Sequence, residues 1–282
     1  MLKHIHQLEK RSNKDRTTYV REVLVNMGIK FSIQPFRFRL LKGENIIVDH
    51  FCQSHDKNLL LLTAHTNKYF SSPGANDNAS GVAVLLGIIE LLLERKDGKK
   101  LGIKIVFFDH EDGLAYLDGS SYFVDHTDLS GVNFVLNLDG VGMGNSFTIS
   151  PKITNETMNT QIQYLFDLFR KLKVKFYSFN LPPLLVEDHM PFVKKSISAI
   201  SLNLMSESDL NFLMAMEKKS FIVKLANMLF YRGPFRKNHP MAIMRHRHNE
   251  LDTSKYIEPL SLELCRKIVM ELIEFHRRLL SI

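Results

Sequence analysis

The apolar positions of this chain change period several times, and each change marks a predicted element. From Asn13 to Met27, the residues Tyr19, Val20, Val23, Leu24 and Met27 recur at helical spacing and stop at Gly28, which predicts an opening helix with a glycine stop. Residues 34–40 and 45–51 read as strands. Three apolar runs, Asn58–Ala64, Gly102–Phe108 and Asn133–Leu138, have the character of strands covered on both faces. Between the first two lies Ala79–Arg95, apolar on most of its faces and ended by Lys96-Asp97-Gly98. The order strand, helix, strand predicts a parallel sheet covered by helices. The alternation continues with a strand at 145–150, a helix near 155–172, strands near 173–179 and 197–204, and a last amphipathic helix from about Glu258 to Leu280. The segment 205–245 departs from it: Met205, Met214, Met216, Met228, Met241 and Met244 stand among basic residues, the pattern of a helical insertion.

Composition narrows the setting. With 282 residues, 45% hydrophobic and 24% charged, the chain can bury a substantial core. The first ten residues mix charge and apolar side chains, unlike a signal peptide, and the apolar stretch Val82–Leu93 falls short of the roughly 20 residues needed to cross a bilayer. Cys52 and Cys265 lie far apart without paired spacing, as free thiols in a reducing compartment do, so the expected location is cytoplasmic. The net charge of +7 comes from scattered Lys and Arg residues. Such a distribution predicts a solvated basic surface, with neither nucleic acid nor membrane as partner.

Candidate chemistry gathers at the ends of the three apolar runs. Ala64 is followed by His65, Phe108 by Asp109-His110-Glu111-Asp112, and Leu138 by Asp139. In open α/β sheets, ligands bind beyond the carboxyl ends of the strands, so these residues are expected to converge, and histidine among carboxylates suggests a metal. Asp77 and Asn78 precede the long helix, where either could also serve as an N-terminal cap. Gly140-Val-Gly142-Met-Gly144 follows a strand but is followed by another strand instead of a helix, so it reads as a turn and not as a dinucleotide-binding loop. Ser80 and Ser120 lack a nucleophile-elbow context, and no covalent mechanism is expected.

Pro73-Gly-Ala-Asn-Asp-Asn-Ala-Ser-Gly81, with His65 twelve residues before Asp77, resembles the signature of the bacterial leucyl-aminopeptidase and glutaminyl-cyclase-like zinc peptidases. The resemblance continues through Glu111-Asp112, Gly113-Leu114, Gly119-Ser120, Glu187-Asp188-His189-Met-Pro-Phe192 and His248-Asn-Glu-Leu-Asp252-Thr253. It implies a three-layer α/β/α sandwich with a mixed, mainly parallel central sheet, forming a single domain over 1–282 that carries the insertion at 205–245. It implies two Zn2+ ions held by His65, Asp77, Asp112, Asp139 and His248, with Asp77 bridging them and Glu111 as general base. His248 is favoured over His246 because it reproduces the family's spacing to Asp252-Thr253. Asp188 and His189 are expected to line the cleft, where a short peptide with a free amino terminus would bind. Asn67 and Asp252 are expected to support the ligands, Asn67 standing where the family usually has an imidazole-holding Asp. Two further departures are His110 and Ser196, at positions where glycine is common.

The chemistry can be stated from the residues themselves. Two cations about 3.5–4 Å apart polarise one water and one carbonyl, and a carboxylate between them offsets their repulsion. Adjacent side chains leave the backbone in different directions, so Glu111 is better placed to take the water's proton than to share a metal with Asp112. The activity expected is removal of the amino-terminal residue of short peptides. The alternatives are cyclisation of an aminoacyl group with one zinc, as in glutaminyl cyclases, and a non-catalytic binding module.

Overall fold

The apolar runs become the middle of one sheet. In a computed structural model of the protein, described over residues 1–38, 41–53, 57–95, 101–111, 117–181, 186–230 and 238–280, eight strands among the described residues pair in the order β1-β2-β4-β3-β5-β8-β6-β7. They are β1 Ser32–Phe38, β2 Leu41–Phe51, β3 Leu59–His65, β4 Ile103–Phe108, β5 Val132–Leu138, β6 Ser146–Ser150, β7 Phe176–Ser178 and β8 Ala199–Met205. β4, β3, β5 and β8 run parallel, while β1 and β2 on one side and β6 against β8 on the other pair antiparallel. Pro35, which cannot donate to a ladder, sits on the edge strand β1.

Strand periodicity divides the core. Leu60, Leu62 and Ala64 of β3 join the larger apolar cluster with Ile103, Ile105 and Phe107 of β4 and Phe134, Leu136 and Leu138 of β5. Leu61, Val106, Phe108 and Val135 point to the opposite face. Alternate residues of each run therefore supply two cores, which is why the runs show no polar alternation. The larger cluster is closed by α1 (Leu2–Leu8), α2 (Asn13–Asn26), α3 (Ser80–Leu93), α5 (Thr160–Lys171) and α10 (Pro259–Leu279). The smaller one is closed by Phe123 and Val124 of α4 (Asp118–His126) and Phe192 of α6 (Met190–Lys194). Helices thus cover both sides of a mixed sheet.

Several boundaries shift from expectation. The opening helix is preceded by α1, whose Ile5 and Leu8 are buried, and the strand expected near 173–179 keeps only the three residues of β7. Ala75–Leu93 has the length and apolarity of a membrane span, yet 83% of that window is buried in the protein. It is a core helix enclosed by the sheet and by α10. Gly81 brings its start against β5: a Cβ there would lie 2.6 Å from the carbonyl oxygen of Leu138 and 2.5 Å from Asn78 Oδ1. The segment 205–245 contributes α7 (Glu207–Glu217), α8 (Phe221–Phe230) and α9 (Ala242–His246).

His110 and Ser196 explain their own oddity. Both adopt left-handed backbone, φ 59° and φ 61°, the conformation that favours glycine. Ser196 is exposed and ends the turn between α6 and β8. Ser196→Gly is expected to stabilise the protein by about 0.5–1 kcal/mol, read as a higher denaturation midpoint at unchanged slope; a lower midpoint would show that the hydroxyl compensates for the strain.

Candidate active site

Because β3, β4 and β5 are parallel, their carboxyl ends meet at one edge, and a polar residue at or just beyond the end of each strand arrives there. His65 closes β3, Glu111 follows β4 and Asp139 follows β5, all buried to 2% exposure or less. His65 Nε2 lies 3.3 Å from Asp77 Oδ1 and 3.7 Å from both Asp139 Oδ1 and Glu111 Oε2. Ligand atoms at about 2.0–2.2 Å around a tetrahedral zinc stand roughly 3.3–3.6 Å apart. The His65, Asp77 and Asp139 atoms, all within 4.8 Å of one another, fit one such ion. His65 Nε2 has no hydrogen-bond partner among the described residues, as a nitrogen aimed at a metal would not.

The loop between β3 and α3 shows why this sequence places Asp77 where it does. Arg16, fully buried on α2, donates to the carbonyl oxygens of Leu8, Thr66 and Gly74, tying down both ends of the loop. Asn76 Oδ1 accepts from Gly142 N–H, Ser80 Oγ accepts from Val141 N–H, and Asn78 Nδ2 donates to Leu138 carbonyl oxygen. The Asn-Asp-Asn-Ala-Ser stretch is thereby stapled to the turn after β5, beside Asp139. Asn78, not Asp77, caps α3, its Oδ1 accepting from Gly81 N–H at 3.0 Å. Asp77 has non-helical backbone and is released for the site. Asp252 supports it from below, its two carboxylate oxygens accepting from Asn76 and Asp77 N–H at 2.6 and 3.1 Å.

His248 reaches Asp77 Oδ2 with its Nε2 at 3.1 Å, its ring stacked on Tyr69 at 4.8 Å. His246 instead stacks on Tyr256. Asp112, with Gly113 and Leu114, lies outside the described residues. Asn67 acts differently from expectation. Its backbone carbonyl, not its side chain, lies 3.1 Å from His65 Nδ1 and orients the imidazole, while its Oδ1 accepts from Glu111 N–H at 2.9 Å. The amide side chain therefore holds Glu111, and a backbone oxygen does the work that a carboxylate would do for His65.

Charge dominates the site. Burial alone would lower the His65 pKa, but Glu111, Asp139 and Asp77 hold it well above the ordinary imidazole value. For Asp77, burial is outweighed by Arg247, His248 and His65, which keep its carboxyl well below the usual range. Asp139 is pushed up by burial and by Asp77. Asp252 is pushed up to about 7 by burial and by Asp77. Histidine and carboxylate ligands would release their remaining protons on binding a dication.

A cavity of about 330 Å³ opens over Asp77 and Asp139. Its far walls are apolar and come largely from the insertion: Phe212, Leu213 and Met216 of α7, Phe221 of α8 and Ile243 and Met244 of α9. Glu187 and Asn203 also line it, whereas Asp188 and His189, expected to line the cleft, are buried outside that lining, with His189 Nδ1 3.4 Å from Glu187 Oε2. Glu187 and Arg247 were not singled out by the sequence. Glu187 was legible only as a neighbour of Asp188, and Arg247 was masked by the run of basic residues around His246 and His248.

A 148-residue stretch is 34% identical to aminopeptidase YwaD of Bacillus subtilis, covering 50% of this chain and 31% of that protein. A 116-residue stretch is 31% identical to a vacuolar membrane protease of Yarrowia lipolytica, covering 40% of this chain and 11% of that one. The chain thus spans less than a third of either relative. Among solved structures, Porphyromonas gingivalis glutaminyl cyclase superposes with TM-score 0.73 at 20% identity, over 97% of this chain and 96% of that one. The zinc aminopeptidase BSAP of Bacillus subtilis superposes with TM-score 0.57 at 22% identity, over 84% and 50%. Residues 45–273 match the sequence profile of Peptidase family M28, and the chain belongs to that family.

Proposed function

We propose that this chain is a zinc-dependent aminopeptidase that removes the first residue of short peptides. The observation that carries the reading is the cluster of His65, Asp77 and Asp139, whose two carboxylates line a cavity with largely apolar walls. A floor rich in carboxylate suits a free amino terminus, and the apolar walls suit the first side chain. One zinc would be held by His65, Asp77 and Asp139, and a second by Asp77, His248 and Asp112, with Asp77 shared. When bound, zinc supplies Lewis-acid activation of the attacking water and the scissile carbonyl.

The chain's own residues supply the rest. Glu111 takes a proton from the attacking water and delivers it to the leaving amine. Asn67 fixes the backbone of Glu111, and Asp252 fixes the backbone of Asp77. Glu187 offers negative charge to the substrate's ammonium group, with Asp188 and His189 backing that wall.

Glu111→Gln should cut turnover of aminoacyl-amide substrates roughly 10²- to 10⁴-fold while elemental analysis finds unchanged metal; loss of metal would make Glu111 a ligand and overturn its role as base. Asn67→Ala should lower kcat by about 10- to 100-fold with metal retained, and a variant that loses metal instead would show that the Asn67 side chain, and not only its backbone carbonyl, supports the metal ligands. Chelation should abolish cleavage and zinc should restore it. Release of a cyclised product from peptides beginning with glutamine, in place of a free amino acid, would favour the cyclase reading.

A further inference from the structure

Two of the three carboxylates that face His65 are also approached by Arg247. Asp77 and Asp139 each turn Oδ1 towards His65 Nε2, at 3.3 and 3.7 Å. Each turns Oδ2 towards Arg247, whose Nε lies 2.7 Å from Asp77 Oδ2 and whose Nη2 lies 3.5 Å from Asp139 Oδ2. The same Asp77 Oδ2 is the oxygen that His248 Nε2 approaches at 3.1 Å, and Arg247 Nε is 3.3 Å from that nitrogen. The guanidinium therefore enters the space shared by Asp77 Oδ2 and His248 Nε2, where the proposed function puts a second ion.

We propose that Arg247 is a tethered cation for the second metal position, so that the two positions load with strongly unequal affinity. The inference rests on the metallopeptidase reading and refines it. Arginine remains charged at every relevant pH, so it cannot yield to a dication by losing a proton as a histidine or lysine could. An ion bound by Asp77 Oδ2 and His248 must displace the guanidinium and forfeit its contacts with both carboxylates. An ion held by His65, Asp77 Oδ1 and Asp139 Oδ1 uses the oxygens turned towards His65, and the guanidinium beside the two Oδ2 atoms offsets part of the remaining negative charge. Sited one residue before His248 and partly exposed, at 23% for its side chain, Arg247 has room to swing outwards when a second ion arrives.

The test is calorimetric titration of zinc into the chelator-stripped full chain, with bound metal counted by elemental analysis and folding checked by circular dichroism. The wild type is expected to bind one equivalent tightly and a second at least about 30-fold more weakly. Arg247→Gln and Arg247→Met should each narrow that gap by at least about tenfold, and Arg247→Lys, whose amine can give up its proton to make way for a dication, should narrow it to a lesser extent. Two equally tight equivalents in the wild type, or an unchanged gap in folded Gln and Met variants, would overturn the proposal while leaving the metallopeptidase reading standing. Absence of zinc binding in all four proteins would overturn that reading and this one with it.

Discussion

The structure is organised around a concentration of buried negative charge. Asp77, Glu111, Asp139, Glu187 and Asp252 are all 4% exposed or less, and the first three surround a single imidazole. Ionised carboxylates taken out of water cost several kcal/mol each unless cations or N–H donors answer them. Here the answer comes from His65, His248 and Arg247, and from the backbone N–H groups of Asn76 and Asp77. A divalent ion answers the same charge more fully than any of these. The parallel order of β4, β3, β5 and β8 makes the concentration possible, because each strand delivers its terminal polar residue to one edge.

Holding those charges in place falls to neutral groups. Asn76, Asn78 and Ser80 are buried and spend their side chains on backbone N–H and carbonyl groups of the turn after β5, while Asn67 does the same for Glu111. Amides and hydroxyls can satisfy backbone partners without adding further charge to a site already crowded with it. Asn67 is the clearest case. With His65 oriented by a backbone carbonyl, its side chain is released to position the candidate base.

Much of this was legible in the sequence. The two-sided burial of the central strands left three apolar runs, and the residue after each run marked the site. Asp77 and His248 could be placed only through the resemblance, since neither follows a strand of the sheet, and local pattern suggested a helix cap for Asp77. The left-handed backbone at His110 and Ser196 was hidden because neither residue type announces it. Arg247 escaped notice for a different reason: a charge among other charges looks solvated until a fold turns it towards buried carboxylates.

The floor and the walls of the cavity come from different parts of the chain, and this separates two properties. The floor is set by strand ends and by a loop with hydrogen bonds in every direction, so its geometry is stiff. The far walls come from α7, α8 and α9, where Met216 and Met244 present unbranched side chains that fill space in several rotamers. A change in the walls can alter the shape of the cavity without moving the atoms that face His65. Arg247 stands at the junction, one residue beyond α9 and in contact with Asp77 and Asp139. A shift of α9 therefore acts on both at once: it reshapes the wall through Ile243 and Met244, and it moves the guanidinium that neutralises the floor.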